Sequence, residues 1–305
     1  METSLEHLDP SSIPNALNNP SILPNKYLPH FTRGISYCIP TKAHNHYYKY
    51  KNSNIELAKR GVTCKHCAHL EPDPQANPAH APHNDNIAHW QLHCKATEGL
   101  RLDRHNTATQ IILHTIKESQ PDDFTHFMDA GTDTITNQPP TRPTIPTWLF
   151  PSNTYPEGAD QHWFNPDIVI LPTPAQTHNF QKRDIHVIEV AYTTERNWPN
   201  KLVEKTEKYR PLVELLENVG HKVKLTVLPQ GQTGLYNSNH TTQHLSTPFH
   251  ISHTRANRRP ILPKAKIKIL LDKLQTHTFE YHDKIIRARH KLDHKPPTQP
   301  HTTTT

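Results

Sequence analysis

The sequence lacks any long apolar run, which excludes a helical membrane protein. Its longest apolar stretches, such as residues 168–171 and 269–271, are far too short to span a bilayer. Residues 1–24 carry neither the basic start nor the apolar run of a secretory signal. We therefore expect a soluble, intracellular protein with no membrane partner.

Apolar residues are also scarce overall: they make up 33% of the 305 residues, beside 29 prolines and 26 histidines. A chain of this composition cannot be uniformly packed along its whole length. We expect a compact centre flanked by poorly ordered ends. Residues 1–59 are predicted to be a linker or the remnant of an upstream region.

Cysteine is scarce too, and four cysteines in an intracellular chain favour metal binding over a disulfide framework. Cys64 and Cys67 form a Cys-x₂-Cys pair, and His89 and Cys94 form a His-x₄-Cys pair. Thiolate and imidazole are the ligands that Zn²⁺ prefers, and four of them complete a tetrahedral structural site. We predict that these four residues bind zinc. The His-x₄-Cys spacing favours His89 over His93, and incidental cysteines in a histidine-rich linker are the alternative.

Positive charge is concentrated near the C-terminus, although the net charge of the chain is only +6. Residues 251–305 hold twelve lysines and arginines against four acids. A basic segment of this kind favours polyanions, nucleic acid first and an anionic membrane surface second, and a solvated, disordered tail is the alternative. We expect an amphipathic helix from Lys264 to about residue 290 that holds the backbone of double-stranded DNA. Its basic residues are Lys264, Lys266, Lys268, Lys273, Lys284, Arg287, Arg289 and Lys291.

Two acidic residues accompany adjacent strand-like segments in the middle of the chain. Asp167 stands at the start of one apolar run, and Glu189 lies inside the next. Two carboxylates on neighbouring strands can hold Mg²⁺ or Mn²⁺, and the carbonyl of Val190 is a candidate third oxygen ligand. Such an ion can activate a water for phosphodiester hydrolysis. The alternative for Asp167 is a turn residue, whereas an unpaired buried charge at Glu189 would cost several kcal/mol.

A lysine-bearing amphipathic helix is predicted over residues 198–219. Its apolar stripe includes Tyr209, and Lys205 falls only about 40° from that residue on a helical wheel. A lysine on the buried side of a helix is rarely left unpaired. We therefore expect Lys205 to point at the carboxylates, with Lys208 as the competing lysine, although a lysine can also extend past the edge of a core.

The order of predicted elements indicates an α/β sandwich. A helix over 101–118 precedes the two acidic strands, and the helix over 198–219 precedes a strand over 221–228. Residues 119–145 are turn-rich, and a polar stretch runs to residue 263. We predict a zinc knuckle over 60–98, a sandwich domain over 99–235 and a basic tail over 236–305.

Several short motifs follow one another in a fixed order along this chain. They are Cys-x₂-Cys, His-x₄-Cys, Arg104-His105-Asn106, Pro166-Asp167, Glu189 and Lys205-x₂-Lys208-Tyr209. This ordered set resembles the C-terminal region of site-specific non-LTR retrotransposon proteins over about residues 60–235. Those proteins carry a zinc knuckle followed by a restriction-like endonuclease domain of the PD-(D/E)XK type, a sandwich of helix, mixed sheet and helix.

The resemblance implies a role for each matching residue. Asp167 and Glu189 resemble the metal-binding carboxylates, and a helix lysine, Lys205 or Lys208, resembles the displaced active-site lysine. Arg104 and His105 resemble the helix motif near the scissile phosphate, and their ordinary interpretation is as exposed helix residues. Ala191 departs from the standard signature, which has its lysine two residues after the acid.

A nuclear, Mg²⁺- or Mn²⁺-dependent DNA endonuclease with a structural Zn²⁺ is the function that the resemblance implies. It would nick target DNA to prime reverse transcription, in partnership with element RNA and a reverse transcriptase. No reverse-transcriptase segment is present in this sequence. A catalytically inactive zinc-containing fragment that binds nucleic acid is the alternative function.

Overall fold

The computed structural model divides the chain into two compact units, each built from two segments. The sheet unit comprises residues 1–25 and 102–279, and the cysteine unit comprises residues 26–101 and 280–305. The residues that the structure describes are 19, 21–24, 26–27, 45, 49, 51–54, 62–67, 85–119, 124–131, 137, 139–172, 180–246, 248–250 and 258–293. Most of the linker predicted over 1–59 lies outside them.

The described chain contains both helices and strands. The helices are α1 (Ile87–Leu92), α2 (Glu98–Ser119), α3 (Trp198–Asn218), α4 (Ser238–Leu245) and α5 (Lys264–Asp293). The strands are β1 (Phe124–Met128), β2 (Ile168–Pro172), β3 (Asp184–Thr193), β4 (Lys222–Gly231), β5 (Pro248–His250) and β6 (Arg258–Pro260). Among the described residues, no helix is both long enough and apolar enough to cross a bilayer.

The sheet unit is an α/β fold around a mixed sheet with strand order β1-β2-β3-β4. Its first three strands pair antiparallel, and β4 pairs parallel to β3 after the chain has passed through α3. A parallel neighbour requires such a crossover, because a short turn can only join antiparallel strands. A separate antiparallel pair is formed by β5 and β6.

Both faces of the sheet are covered, since residues of a strand point alternately to its two sides. Ile188 and Val190 of β3 face a core to which α2 and α5 contribute. Ile185 and Val187 of the same strand face a second core that contains Tyr209 of α3. Burial on both sides explains why β2 is an uninterrupted apolar run and why β3 carries apolar residues on both of its faces.

The C-terminal helix differs from the basic tail predicted over 236–305. Ile267, Leu270 and Leu274 of α5 are buried in the core on the α2 side of the sheet, so this part of the chain belongs to the packed structure. The prediction for Arg289 was wrong: its side chain is fully buried and cannot hold a DNA backbone. Lys264, Lys266 and Lys268 are exposed.

Four elements, β1, α4, β5 and β6, fall where loops were predicted. The turn-rich interpretation of residues 119–145 missed β1, whose pairing partner is β2. The polar stretch before residue 263 contains α4, which begins after Asn237. The Asn237 side chain accepts a hydrogen bond from the backbone N–H of His240 at 2.7 Å, a typical N-cap that satisfies one of the unpaired donors of the first turn.

Candidate functional site

The register of β2 and β3 brings Asp167 opposite Glu189. Ile168 pairs with Ile188, so Asp167, one residue before β2, continues the ladder opposite the next residue of β3. Residues that oppose each other in antiparallel strands project from the same face. The Asp167 carboxylate is fixed there, because the backbone N–H of Val190 donates a hydrogen bond of 2.6 Å to its Oδ2.

Lys205 of α3 reaches this carboxylate pair. Its Nζ lies 2.7 Å from Oε1 of Glu189, in the direction that the helical wheel indicated. Glu189 is only 3% exposed. Its second oxygen, Oε2, is buried and has no hydrogen-bond partner within the described part of the chain. A buried carboxylate oxygen without a donor is suited to a cation ligand.

The charges of the site act on one another. Burial and the charge of Asp167 raise the pKa of Glu189, although the Lys205 ammonium opposes them. Burial lowers the pKa of Lys205, but the charge and hydrogen bond of Glu189 outweigh burial and leave that pKa raised. Lys205 therefore stays charged, and Glu189 holds a proton more readily than an ordinary glutamate.

His105 of α2 lies on the other side of Asp167. Its Nε2 is 3.2 Å from Oδ2 of Asp167 and 3.1 Å from the carbonyl oxygen of Val190. Burial lowers the pKa of His105, but the charge and hydrogen bond of Asp167 outweigh burial and raise it to about 9. An imidazolium thus stands beside two of the three oxygen ligands predicted for a divalent cation.

The other two basic candidates lie against aromatic side chains. The guanidinium of Arg104 is buried 3.9 Å from the ring centre of Tyr192, so the surface interpretation of this residue does not hold. Lys208 donates a hydrogen bond of 2.9 Å from Nζ to the Tyr209 hydroxyl. Of the two helix lysines, Lys205 is the one that lies against Glu189.

Two residues near this site were not identified as candidates from the sequence. The Tyr209 hydroxyl donates to the carbonyl of Asn165, and burial with the charges of Glu189 and Asp167 raises its pKa. Asp129, just after β1, donates its backbone N–H to the carbonyl of Asp167 at 3.0 Å. No local sequence pattern marks Asp129, because the preceding strand, Phe124–Met128, does not alternate between polar and apolar residues.

A second candidate site lies in the cysteine unit. The sulfurs of Cys64, Cys67 and Cys94 and a ring nitrogen of His89 all lie within 4.8 Å of one another, and all four residues are buried. Neither ring nitrogen of His89 makes a hydrogen bond among the described residues. The neighbouring His93 is exposed and outside the cluster.

Local structure sets the spacing of these ligands. The N–H of Cys67 donates to the carbonyl of Cys64 at 3.0 Å, which closes a tight turn between the first two cysteines. Asn86 caps α1 and accepts from the N–H of His89. The chain leaves α1 with the N–H of Cys94 bonded to the carbonyl of His89 at 2.8 Å, so the His-x₄-Cys pair spans one helical turn.

The chemistry of this cluster fits zinc. A hydrogen bond from Cys94 holds the pKa of the Cys64 thiol well below its usual range and raises the pKa of Cys94, so the cluster readily holds a thiolate. The N–H of Lys95 also donates to the Cys67 sulfur at 3.3 Å. A buried set of three cysteines and one histidine could hold zinc as a closed structural site.

No protein-family model matches this sequence, and no curated protein does. The two side-chain clusters therefore carry the argument for function. They lie in different units and differ in chemistry, because one offers oxygen ligands with a lysine and the other offers sulfur and imidazole.

Proposed function

We propose that this chain is a metal-dependent DNA endonuclease of the PD-(D/E)XK type, similar to those of site-specific non-LTR retrotransposons. The observation that carries the proposal is the position of the Lys205 ammonium, 2.7 Å from Glu189 and on the sheet face that Asp167 shares. Carboxylates at adjacent strand positions with a cation from a helix are the parts that phosphodiester hydrolysis needs. The order of helix, mixed sheet, helix and parallel strand supports a restriction-like sandwich.

Asp167, Glu189 and the carbonyl of Val190 would hold Mg²⁺ or Mn²⁺. When bound, the ion would polarise a phosphoryl oxygen and lower the pKa of a coordinated water. The free Oε2 of Glu189 fits an oxygen ligand of this kind. His105 contacts Oδ2 of Asp167 and the carbonyl oxygen of Val190. A cation bound by these two oxygens would therefore displace the His105 side chain from them.

The side chains themselves supply charge and position. The Lys205 ammonium would orient a water near Glu189 and offset negative charge that develops on the phosphate. The Val190 N–H holds Oδ2 of Asp167, so the orientation of this carboxylate is defined. Before a cation binds, the charge of Asp167 raises the pKa of His105 to about 9, so that this side chain would offer a second positive charge at the same edge of the sheet.

Double-stranded DNA is the proposed partner, because exposed lysines lie on the outer side of α5. Lys264, Lys266, Lys268 and Lys273 are all exposed. Exposed lysines suit contacts to phosphates, which position a protein on DNA without reading its sequence. Element RNA, a reverse transcriptase in trans and a nuclear location belong to the same proposal.

An inactive zinc-containing scaffold that binds nucleic acid is the second candidate. Each carboxylate already has a basic partner, since Lys205 pairs with Glu189 and His105 pairs with Asp167, and this favours a structural role. The departure at Ala191 from the standard signature favours it too. In this case the charged cluster would serve only to join α2 and α3 to the sheet.

Metal-dependent nicking of supercoiled plasmid distinguishes the two functions. The protein should convert supercoiled to open-circular DNA with Mg²⁺ or Mn²⁺ but not with a chelator. Asp167→Asn and Glu189→Gln should each reduce nicking about 100-fold or more, by analogy with loss of a principal transition-state contact. Glu204→Gln, at an exposed position of α3, is the control and should nick normally. DNA binding without any nicking by the parent protein would favour the scaffold.

A further inference from the structure

One buried arginine near the C-terminal end of α5 belongs to the environment of the cysteine cluster. Arg289 is 0% exposed. Its Nη2 lies 3.5 Å from the sulfur of Cys64 and 2.8 Å from Oδ1 of Asp85. Its guanidinium carbon lies 5.0 Å from the ring centre of Trp90. A fully buried arginine is rare and is tolerated only where its charge is partnered.

The arginine is held by groups that are themselves fixed. Asp85 is fully buried and accepts a second hydrogen bond, of 2.7 Å, from Nε1 of Trp90. Asp293 pairs with Arg289 from one turn further along α5. Lys65, the residue after the first cysteine of the cluster, lies 3.3 Å from Asp293. The guanidinium therefore links both sequence segments of the cysteine unit at the metal ligands.

The positive charge of Arg289 suits a position beside a zinc site. Zinc bound by three thiolates and a neutral imidazole carries one net negative charge, which is costly to bury without a compensating cation. Arg289 provides such a cation, because its guanidinium contacts the sulfur of Cys64. Hydrogen bonds to ligand atoms from such neighbours orient the ligand and strengthen metal binding.

We infer that Arg289 is a positioning residue of the zinc site, which orients the Cys64 thiolate and offsets the negative charge of the bound metal. A residue near the C-terminal end of α5, 225 residues after Cys64, thus completes the metal site. The inference rests on the proposal that the cysteine cluster holds zinc, but not on any nuclease activity.

Zinc release tests it. Purified full-length protein would be mixed with a chromogenic zinc chelator, and the rate of zinc transfer would be compared for Arg289→Gln, Arg289→Lys and the parent. Loss of such a neighbour weakens metal binding about 10- to 100-fold, so Arg289→Gln should release zinc faster by a similar factor. Arg289→Lys should fall between, because one ammonium cannot serve Cys64, Asp85 and Asp293 as the guanidinium does.

Arg287→Gln is the matched control, since Arg287 lies two residues away, is 57% exposed and pairs with Asp283. It should release zinc at the parental rate. Circular dichroism checks folding, and if Arg289→Gln does not fold, the comparison is made with Arg289→Lys alone. Parental release from a folded Arg289 variant would overturn the inference. A parent that binds no zinc would overturn both the zinc site and the inference, whereas loss of nicking alone would leave both standing.

Discussion

Replacing Lys205 by methionine should destabilise the protein in a pH-dependent way. The substitution keeps an unbranched side chain of similar length but removes the charge that faces Glu189 at 2.7 Å. Exposed ion pairs contribute about 0–1 kcal/mol, and breaking a buried pair costs about 3–5 kcal/mol. Glu189 is 3% exposed and Lys205 is 21% exposed, so we expect a loss between these limits, about 1–3 kcal/mol.

The sign of the pH dependence follows from Glu189. Its pKa in the folded protein is already raised, and losing Lys205 should raise it further. When the pKa of a glutamate is higher in the folded than in the unfolded protein, protonation favours the folded state. This stabilisation is complete below the pKa of the unfolded state, about 4.3 for glutamate, and is lost as the pH rises through the pKa of the folded state. The cost of Lys205→Met should therefore be smallest at acidic pH and largest at mildly alkaline pH.

Urea denaturation followed by circular dichroism, from about pH 5 to about pH 8.5, measures this difference in the free energy of unfolding. Lys201→Met is the control on the same helix, because Lys201 pairs with Glu204, which is 57% exposed. It should cost less than about 1 kcal/mol and show no such trend. A pH-independent cost for Lys205→Met would refute the reasoning, since it would mean that the lysine acts through packing alone.

Other outcomes follow from the two sites and the basic helix. Metal analysis of purified protein should give about one zinc per chain, as a closed site of four ligands requires, and Cys64→Ser should lose it and loosen the cysteine unit in hydrogen exchange. The logarithm of the DNA-binding constant should fall with the logarithm of the salt concentration, with a slope of about −0.9 per phosphate contacted. A variant in which Lys264, Lys266 and Lys268 are all replaced by Gln should make this slope shallower by about 2–3 without changing the circular dichroism spectrum. An unchanged slope would remove α5 from the DNA-binding surface.

Periodicity predicted the elements whose burial pattern is strong. The apolar runs of β2 and β3 and the stripe of α3 are set by packing on both sides of one sheet, so their pattern is visible in the sequence. β1 is short and half-buried, and it is stabilised by pairing with β2, which no local pattern reports. The eight residues of α4 include four threonine and histidine side chains, so its sequence resembles a loop.

The candidate sites show the same division between local and distant causes. The direction of Lys205 could be predicted, because 3.6 residues per turn fix its face relative to Tyr209. The contact of His105 with the Val190 carbonyl could not be derived from spacing, because α2 and β3 meet only when the core has formed. Arg289 was taken for a DNA ligand, since a positive charge in a sequence does not reveal the buried Asp85 that neutralises it.

The late position of Arg289 has a consequence for synthesis on the ribosome. Cys64 leaves the ribosome 225 residues before Arg289, a delay of about 10–45 s at 5–20 residues per second. During that interval the sulfurs can meet zinc, but their buried counterion does not yet exist. The nascent metal site should therefore exchange its ion readily with cellular thiols and hold it firmly only once the final helix has emerged and docked.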